Sequence, residues 1–323
     1  MTIRWGLIGA GDIASKRVVS AIQGDVKSDL VAVCRRSEAQ LAQFADKFSI
    51  PQRFVDSNKL IASTDIDAVY IATPVACHLP QTIAAAKAGK HVLVEKPMAL
   101  DPVQCKQMVE ACDQAGVQLA VAYYRRFYPV VARCHELITS GRLGKVLSIA
   151  CVTGNPVQFP ADDWRVMLDQ GGGGPLMDIG SHRIDLFVQL FGDVDSVHGS
   201  FAESADYEAE QAAFVTMKFQ CGVHGLLQCY FGTAQTPDRL EIIGTDGRIT
   251  IEDLNQGDMH FFSSGESVYE SHPPADNLHA PLIEDFTTAL EDSQVPLVSG
   301  KVGKTTNDII AMAYQNACHK TSH

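Results

Sequence analysis

Several features that would set an unusual fate are missing from this chain of 323 residues. No apolar run reaches the length of about 20 residues that a membrane-crossing helix needs. The opening Met1-Thr2-Ile3-Arg4-Trp5 passes straight into a strand pattern, with no charged-then-apolar leader. No Cys-x-x-Cys occurs. The nine cysteines are Cys34, Cys77, Cys105, Cys112, Cys134, Cys151, Cys221, Cys229 and Cys318. An odd, scattered set suits neither a disulfide framework nor a zinc site, so no metal is expected. Positive charge is scarce: 26 Lys and Arg against 38 Asp and Glu leave a net charge of −12. That argues against a nucleic-acid backbone or an anionic membrane as the main partner. It leaves room for an anionic cofactor on a local basic patch. There is no internal repeat or low-complexity tract. These absences predict a reduced, cytoplasmic protein.

What is present is globular. Hydrophobic residues make up 46% and charged residues 20%, enough to build a core. The length fits two domains. The first half alternates strand and helix patterns: a strand at Ile3 to Ile8, helix through Ile22, strand Leu30 to Cys34, helix Glu38 to Phe48. Further strands follow at Asp67 to Ala72, His91 to Val94 and Val117 to Ala122. Such alternation predicts a doubly wound parallel sheet of Rossmann type, with ligands at the carboxyl ends of its strands. The remainder reads as strands joined by turns, from Lys145 to Phe262. That predicts an α+β domain with a large, mostly antiparallel open sheet. The expected division is 1–122 for dinucleotide binding and 123–302 for substrate binding and oligomerisation. A C-terminal helix over about 303–320 is expected to pack back on the first domain.

Three motifs carry chemistry. The first is Gly9-Ala10-Gly11-Asp12-Ile13-Ala14, which ends a strand and opens a helix. Its first glycine permits a tight turn and its second lets a pyrophosphate approach the backbone. Its small third position lets helix and strand pack closely, and the helix N-terminus favours phosphate. The second strand lacks the carboxylate that NAD-binding versions place at its end; Arg35-Arg36-Ser37 stands there instead. A guanidinium suits a 2′-phosphate, so NADP(H) is expected over NAD(H). The second motif is Gly89-Lys90-His91-Val92-Leu93-Val94-Glu95-Lys96-Pro97, a strand that delivers a lysine to a sheet edge. Proline restrains that lysine and makes a cis peptide accessible. The third is the glycine run 171–174 followed by Asp178, Gly180, His182 and Asp185. Asp178 and His182 are four residues apart on one helix face; by spacing alone they make an ordinary surface ion pair.

Taken with Ala72-Thr73-Pro74-x-x-x-His78, these blocks resemble the glucose–fructose oxidoreductase / inositol dehydrogenase family over the whole chain. The resemblance implies NAD(P)-dependent hydride transfer to or from a carbon of a sugar, keto-sugar or polyol. It implies Lys96, His182 and Asp178 as catalytic residues: His182 as proton carrier, Lys96 as hydrogen-bond donor to the substrate oxygen, Asp178 as orienting group or hydroxyl ligand. Which of Lys96 and His182 carries the proton stays open. Cofactor contacts are expected from Gly9, Ala10, Gly11, Asp12, Ile13, Arg35, Arg36, Ser37, Thr73, Pro74, His78, Glu95, Lys96 and His279. Trp164 and Arg165 join them by similarity to NADP-using reductases of the 1,5-anhydrofructose type. Tyr124 and Arg125 are expected at the substrate, or else in an interdomain packing cluster. The open face of the second sheet implies a homodimer or homotetramer. Two alternatives remain: a dihydrodiol dehydrogenase-like or other non-sugar enzyme, and a dinucleotide-sensing regulatory protein on the same fold.

Overall fold

The structure is a computed structural model and describes residues 2–234 and 238–317. The chain divides into two compact units. One comprises the chain up to Tyr124 together with Ala275–Thr305; the other comprises Arg125–Pro274 and the chain from Thr306. The first crossing falls two residues later than expected. Two further differences are larger. Segment 275–302, expected in the second domain, belongs to the first unit. It contributes helix Ala280–Glu291, whose Phe286 ring lies 5.3 Å from that of the fully buried Trp5. The final helix, Gly300–Gln315, belongs to the first unit only up to Thr305. Its later turns count with the second unit, where Tyr314 stacks on Phe201 at 4.8 Å. The rest of the expected 303–320 range, with Cys318, lies outside the described residues.

The first unit holds strands β1 (Ile3–Ile8), β2 (Ser28–Cys34), β3 (Gln52–Phe54), β4 (Ala68–Ile71), β5 (His91–Val94) and β6 (Leu119–Val121). Their order is β3-β2-β1-β4-β5-β6, and every pairing is parallel. This is the Rossmann order, with the reversal beside β1. β4 is buried at all four positions, as a sheet covered on both faces requires. The crossover helices carry ordinary end signals. Pro102–Ala115 starts behind Asp101, whose carboxylate accepts from Gln104 N–H, and stops at Gly116 with φ +68°.

The second unit holds β7 (Val146–Asn155), β8 (Val194–Glu203), β9 (Glu210–Phe219), β10 (His224–Phe231), β11 (Arg239–Gly244), β12 (Gly247–Ile251), β13 (Asp258–Ser263) and β14 (Glu266–Ser271). They form one sheet in the order β14-β13-β12-β11-β7-β10-β9-β8, antiparallel except where β10 runs parallel to β7. Alternate residues of β9 and β10 are buried and exposed, the signature of a sheet covered on one face. The inner face carries Val215, Met217, Leu227 and Cys229. The outer face shows Phe214, Leu226, Ile243 and Phe262, each about two-fifths exposed or slightly more. Two strands escaped the sequence reading, β3 and β14. Both are sheet edges with few buried residues, so neither carries the apolar run by which strands are recognised.

Candidate active site

In the first unit the parallel order sets the carboxyl ends of β2, β1, β4 and β5 side by side. Four expected groups of residues meet along this edge. The glycine turn leaves β1. Gly9 has φ +101°, and a Cβ there would run into the Ala72 carbonyl after β4. Only glycine fits that turn. Gly11 differs: the space around its missing Cβ is empty to 4 Å. The two glycines therefore do two jobs, closing the turn and leaving bare backbone for a ligand. Ala14 is fully buried beneath the helix. The helix opens with a π turn over Ala14–Val18 before continuing as Val19–Gly24; π turns recur at functional sites. Beside it, at the end of β2, Arg35 bends back and its Nη1 donates to the Ala10 carbonyl at 2.5 Å. Arg36 and Ser37 are exposed, and Ser37 caps the helix Glu38–Phe48. Empty space at Gly11, helix N–H groups and a cation at Arg35 fit the pyrophosphate and ribose end of a dinucleotide.

At the end of β5, Lys96 precedes Pro97 across a cis peptide bond and is partly exposed. Glu95 beneath it is buried. Tyr70 O–H donates to Glu95 Oε1 at 2.8 Å, and Lys96 N–H reaches Oε2 at 3.3 Å. His279 Nε2 lies 3.4 Å from Oε1, at ion-pair range without the alignment of a hydrogen bond. Burial pushes the Glu95 carboxyl up. The contact and charge of His279, the charge of Lys96 and the Tyr70 hydroxyl outweigh it, holding the group below its ordinary value. The same site drives the Tyr70 phenol well above its ordinary value, through burial first and then the Glu95 charge.

Two expected cofactor ligands, His78 and His279, are buried within the first unit. His78 is buried, with Nδ1 3.1 Å from the Pro97 carbonyl and 3.2 Å from that of Met98, and Nε2 2.9 Å from the Thr73 carbonyl. It ties the loop after β5 to the loop after β4. Burial holds its pKa below the ordinary value despite those carbonyls. His279 is fully buried between Glu95 and the Tyr124 ring, which lies tilted against it with centroids 4.7 Å apart. Both rings lie beside the loop that carries Lys96. Thr73 and Pro74 remain partly exposed on the edge. Tyr124, expected at the substrate, is 8% exposed and packs against His279 and the Arg17 guanidinium.

In the second unit the glycine run is not one uniform loop. Leu168–Gly171 makes a helical turn that ends at Gly172 with φ +83°. The helix that follows is not regular either. Leu176–Gly180 is a π turn and Ser181–Phe191 an α-helix. An i→i+5 turn winds less per residue than an α turn, so four residues still span close to one turn and Asp178 and His182 stay on one side. Asp178 is partly exposed and His182 is 4% exposed. Asp185 is fully buried and takes Arg126 Nε on both oxygens at 2.9 and 2.8 Å. Burial pushes its carboxyl up to about 6 although Arg126 pulls the other way. Arg125, expected at the substrate, is 6% exposed and pairs through Nη1 with Asp238 at 3.1 Å. Asp238 also accepts from Arg183 Nε at 3.1 Å. Trp164 and Arg165 sit in a turn, with the guanidinium 4.5 Å above the indole ring and 3.2 Å from Asp163.

Residues 3–123 match the model of an oxidoreductase family with an NAD-binding Rossmann fold, and residues 131–250 match the GFO/IDH/MocA C-terminal domain. The 1,5-anhydro-D-fructose reductase of Ensifer adhaerens is 30% identical over 93% of this chain and 92% of its own. The chain belongs to the GFO/IDH/MocA oxidoreductase family. Another relative is D-xylose 1-dehydrogenase (NADP(+)) 2 of Haloferax volcanii, 27% identical over 97% of each chain. Among solved structures, aldose-aldose oxidoreductase of Caulobacter crescentus, complexed with glycerol, superposes with a TM-score of 0.90 at 25% identity. It covers 98% of this chain and 97% of its own.

As a GFO/IDH/MocA member the protein is an NAD(P)-dependent oxidoreductase, and the edge of its first unit is built for that cofactor class. Among the described residues no helix is long and apolar enough to cross a membrane. Sequence reading missed Tyr70, Asp238, Glu210 and Tyr314. Each lies far along the chain from the group it holds, and no local spacing marks any of them. Glu210 is the most consequential. Its buried carboxylate accepts from Gly174 N–H at 3.0 Å, Leu176 N–H at 3.1 Å and Tyr314 O–H at 3.0 Å.

Proposed function

We propose that the protein is a cytoplasmic, NADP(H)-preferring oxidoreductase acting on a carbon of a sugar, keto-sugar or polyol. The observation that carries this reading is Lys96, held at the carboxyl end of β5 above a buried Glu95, in line with the glycine turn and Arg35. Bound nicotinamide supplies the hydride. The chain must manage the substrate oxygen, whose proton is exchanged as the hydride moves. His182 exchanges that proton, since imidazole titrates near neutrality. Lys96 donates a hydrogen bond to the oxygen and stabilises developing negative charge. Asp178 orients His182 or binds a neighbouring hydroxyl. Trp164 and Arg165 contact the cofactor. The names of the xylose dehydrogenase and anhydrofructose reductase relatives support the sugar class.

Two experiments test the reading. Lys96→Ala and His182→Ala should each cut turnover about hundredfold or more, measured with NADPH and 1,5-anhydro-D-fructose or with NADP+ and D-xylose. Nicotinamide-fluorescence titration should show cofactor binding largely intact; near-full turnover in either variant removes its assigned role. The same titration of the unaltered protein should show tighter binding of NADPH than of NADH. Arg35→Asp should then weaken NADPH about tenfold or more relative to NADH, the scale of a charge-assisted hydrogen bond. Equal losses would show that Arg35 does not meet the 2′-phosphate. The apolar outer face carrying Phe214, Leu226 and Ile243 supports a homodimer or homotetramer, since monomers rarely expose such a face.

A further inference from the structure

We propose that Glu210, backed by Tyr314, is a positioning residue for the candidate reaction, acting through the backbone of the glycine run; this rests on the role given above to Asp178 and His182. The geometry is a chain of contacts within the second unit. Glu210 opens β9, and its carboxylate lies beneath the start of the Asp178–His182 helix. It takes the N–H of Gly174 and that of Leu176, on either side of Pro175, at 3.0 and 3.1 Å. The first N–H groups of a helix have no intrahelical acceptor. Here a side chain more than thirty positions away supplies one, and a negative charge there also meets the positive end of the helix dipole. The Gly174 carbonyl in turn accepts from Asp178 N–H at 3.0 Å. The carboxylate is thus two hydrogen bonds from the backbone of Asp178.

The packing leaves the loop little freedom. A Cβ at Gly174 would strike the Glu210 carbonyl, and one at Gly173 would strike the Tyr314 hydroxyl. Tyr314 O–H completes the carboxylate at 3.0 Å and anchors it to the last helix. The segment just before Glu210 holds the Trp164-Arg165 turn as well. Ala209 packs with Val166 and Phe231, and its N–H donates to the Val166 carbonyl at 3.3 Å. One strand entry therefore fixes two of the expected ligand-facing segments. The Gly174, Leu176 and Tyr314 donors to Glu210 are all neutral, and among the described residues no ion pair joins it. Its place here is the satisfaction of backbone groups at one fixed geometry.

Glu210→Gln tests this with nearly the same shape. An amide offers one acceptor oxygen and an NH2 that opposes a donor, so at least one backbone N–H loses its partner. Hydrogen exchange by mass spectrometry should show peptides spanning 174–182 exchanging at least about tenfold faster, with the rest of the second unit unchanged. Turnover number should fall about tenfold or more while KM for the nicotinamide cofactor stays constant. Tyr314→Phe removes one donor and leaves both backbone bonds, so the same changes should appear in weaker form. Unchanged exchange in Glu210→Gln overturns the proposal. So does locally faster exchange with undiminished turnover, and so does exchange raised everywhere with cofactor binding lost, which marks a merely structural residue. If the unaltered protein turns over neither sugar with either cofactor, the preceding reading fails. The exchange measurement then decides the clamp alone: local acceleration supports it and no acceleration overturns it.

Discussion

Glu95 in the first unit and Glu210 in the second are both buried carboxylates under a segment expected to act on substrate, yet their surroundings push them in opposite directions. Glu95 has basic neighbours: His279 at ion-pair range and Lys96 next in the chain, besides the Tyr70 hydroxyl. These outweigh burial and hold it below its ordinary value. Glu210 has two backbone N–H groups and a phenol, all neutral, and burial wins, so its carboxyl sits above its ordinary value. The number of hydrogen bonds is similar. What differs is the presence of basic side chains beside Glu95, and in a poorly solvated site nearby charge decides. The first carboxylate belongs to an electrostatic cluster that sets a lysine. The second shapes backbone.

Asp185 sharpens that comparison, because it combines a cation with complete burial. It holds Arg126 on both oxygens, and burial still lifts it to about 6. A carboxyl raised in the folded state contributes most stability in acid, and that contribution is lost as pH rises through its folded pKa. The largest effect expected here comes from removing its partner. Arg126→Met leaves a buried carboxylate with no cation and should cost about 3–5 kcal/mol near pH 8. Below about pH 5 the carboxyl is protonated in both proteins and the gap should shrink. Denaturant unfolding at the two pH values checks it; a gap that does not depend on pH would show that Arg126 acts by packing and not by pairing with Asp185.

Which of these features could be read from the chain follows from how local each signal is. Gly9, Gly11 and Ala14 lie within one turn, and the doubly wound parallel sheet follows from strands alternating with helices, although its edge strand β3 did not show. Lys96 was legible because Glu95 and Pro97 adjoin it. The Asp178–His182 helix was legible as a motif, but its π turn was not, since no residue pattern distinguishes it from an α turn. His78 and His279 were read as ligands because they sit in the right stretch of sequence. What the sequence did not show is their burial, with the His78 ring nitrogens facing the Thr73, Pro97 and Met98 carbonyls and His279 Nε2 facing the Glu95 carboxylate. Segment 275–305 returns to the first unit through contacts such as Trp5 with Phe286. Those contacts join residues hundreds of positions apart, where periodicity carries no information. The same holds for Glu210, which reads in sequence as one more acidic residue at a strand end.

The smallest expected effect tests the Glu95–Glu210 contrast most directly, because it is a difference of sign. Each glutamate has an ordinary value near 4.5. Glu95 titrates lower in the folded protein, so the unfolded chain holds more protons just below that value. Its stabilisation is complete above about pH 4.5 and is lost as pH falls through the lower folded pKa. Glu210 titrates higher, so the folded chain holds more protons above that value, and its contribution declines as pH rises from about 4.5 through its folded pKa. Glutamine does not titrate. The stability of the unaltered protein minus that of Glu95→Gln should therefore climb with pH, and the same difference for Glu210→Gln should fall. The size is about 1.4 kcal/mol for each unit of pKa displacement, within reach of unfolding titrations between about pH 3.5 and 7. Slopes of the same sign would mean that His279 and Lys96 do not set the charge of Glu95, and the assignment of that cluster to positioning Lys96 would fall with it.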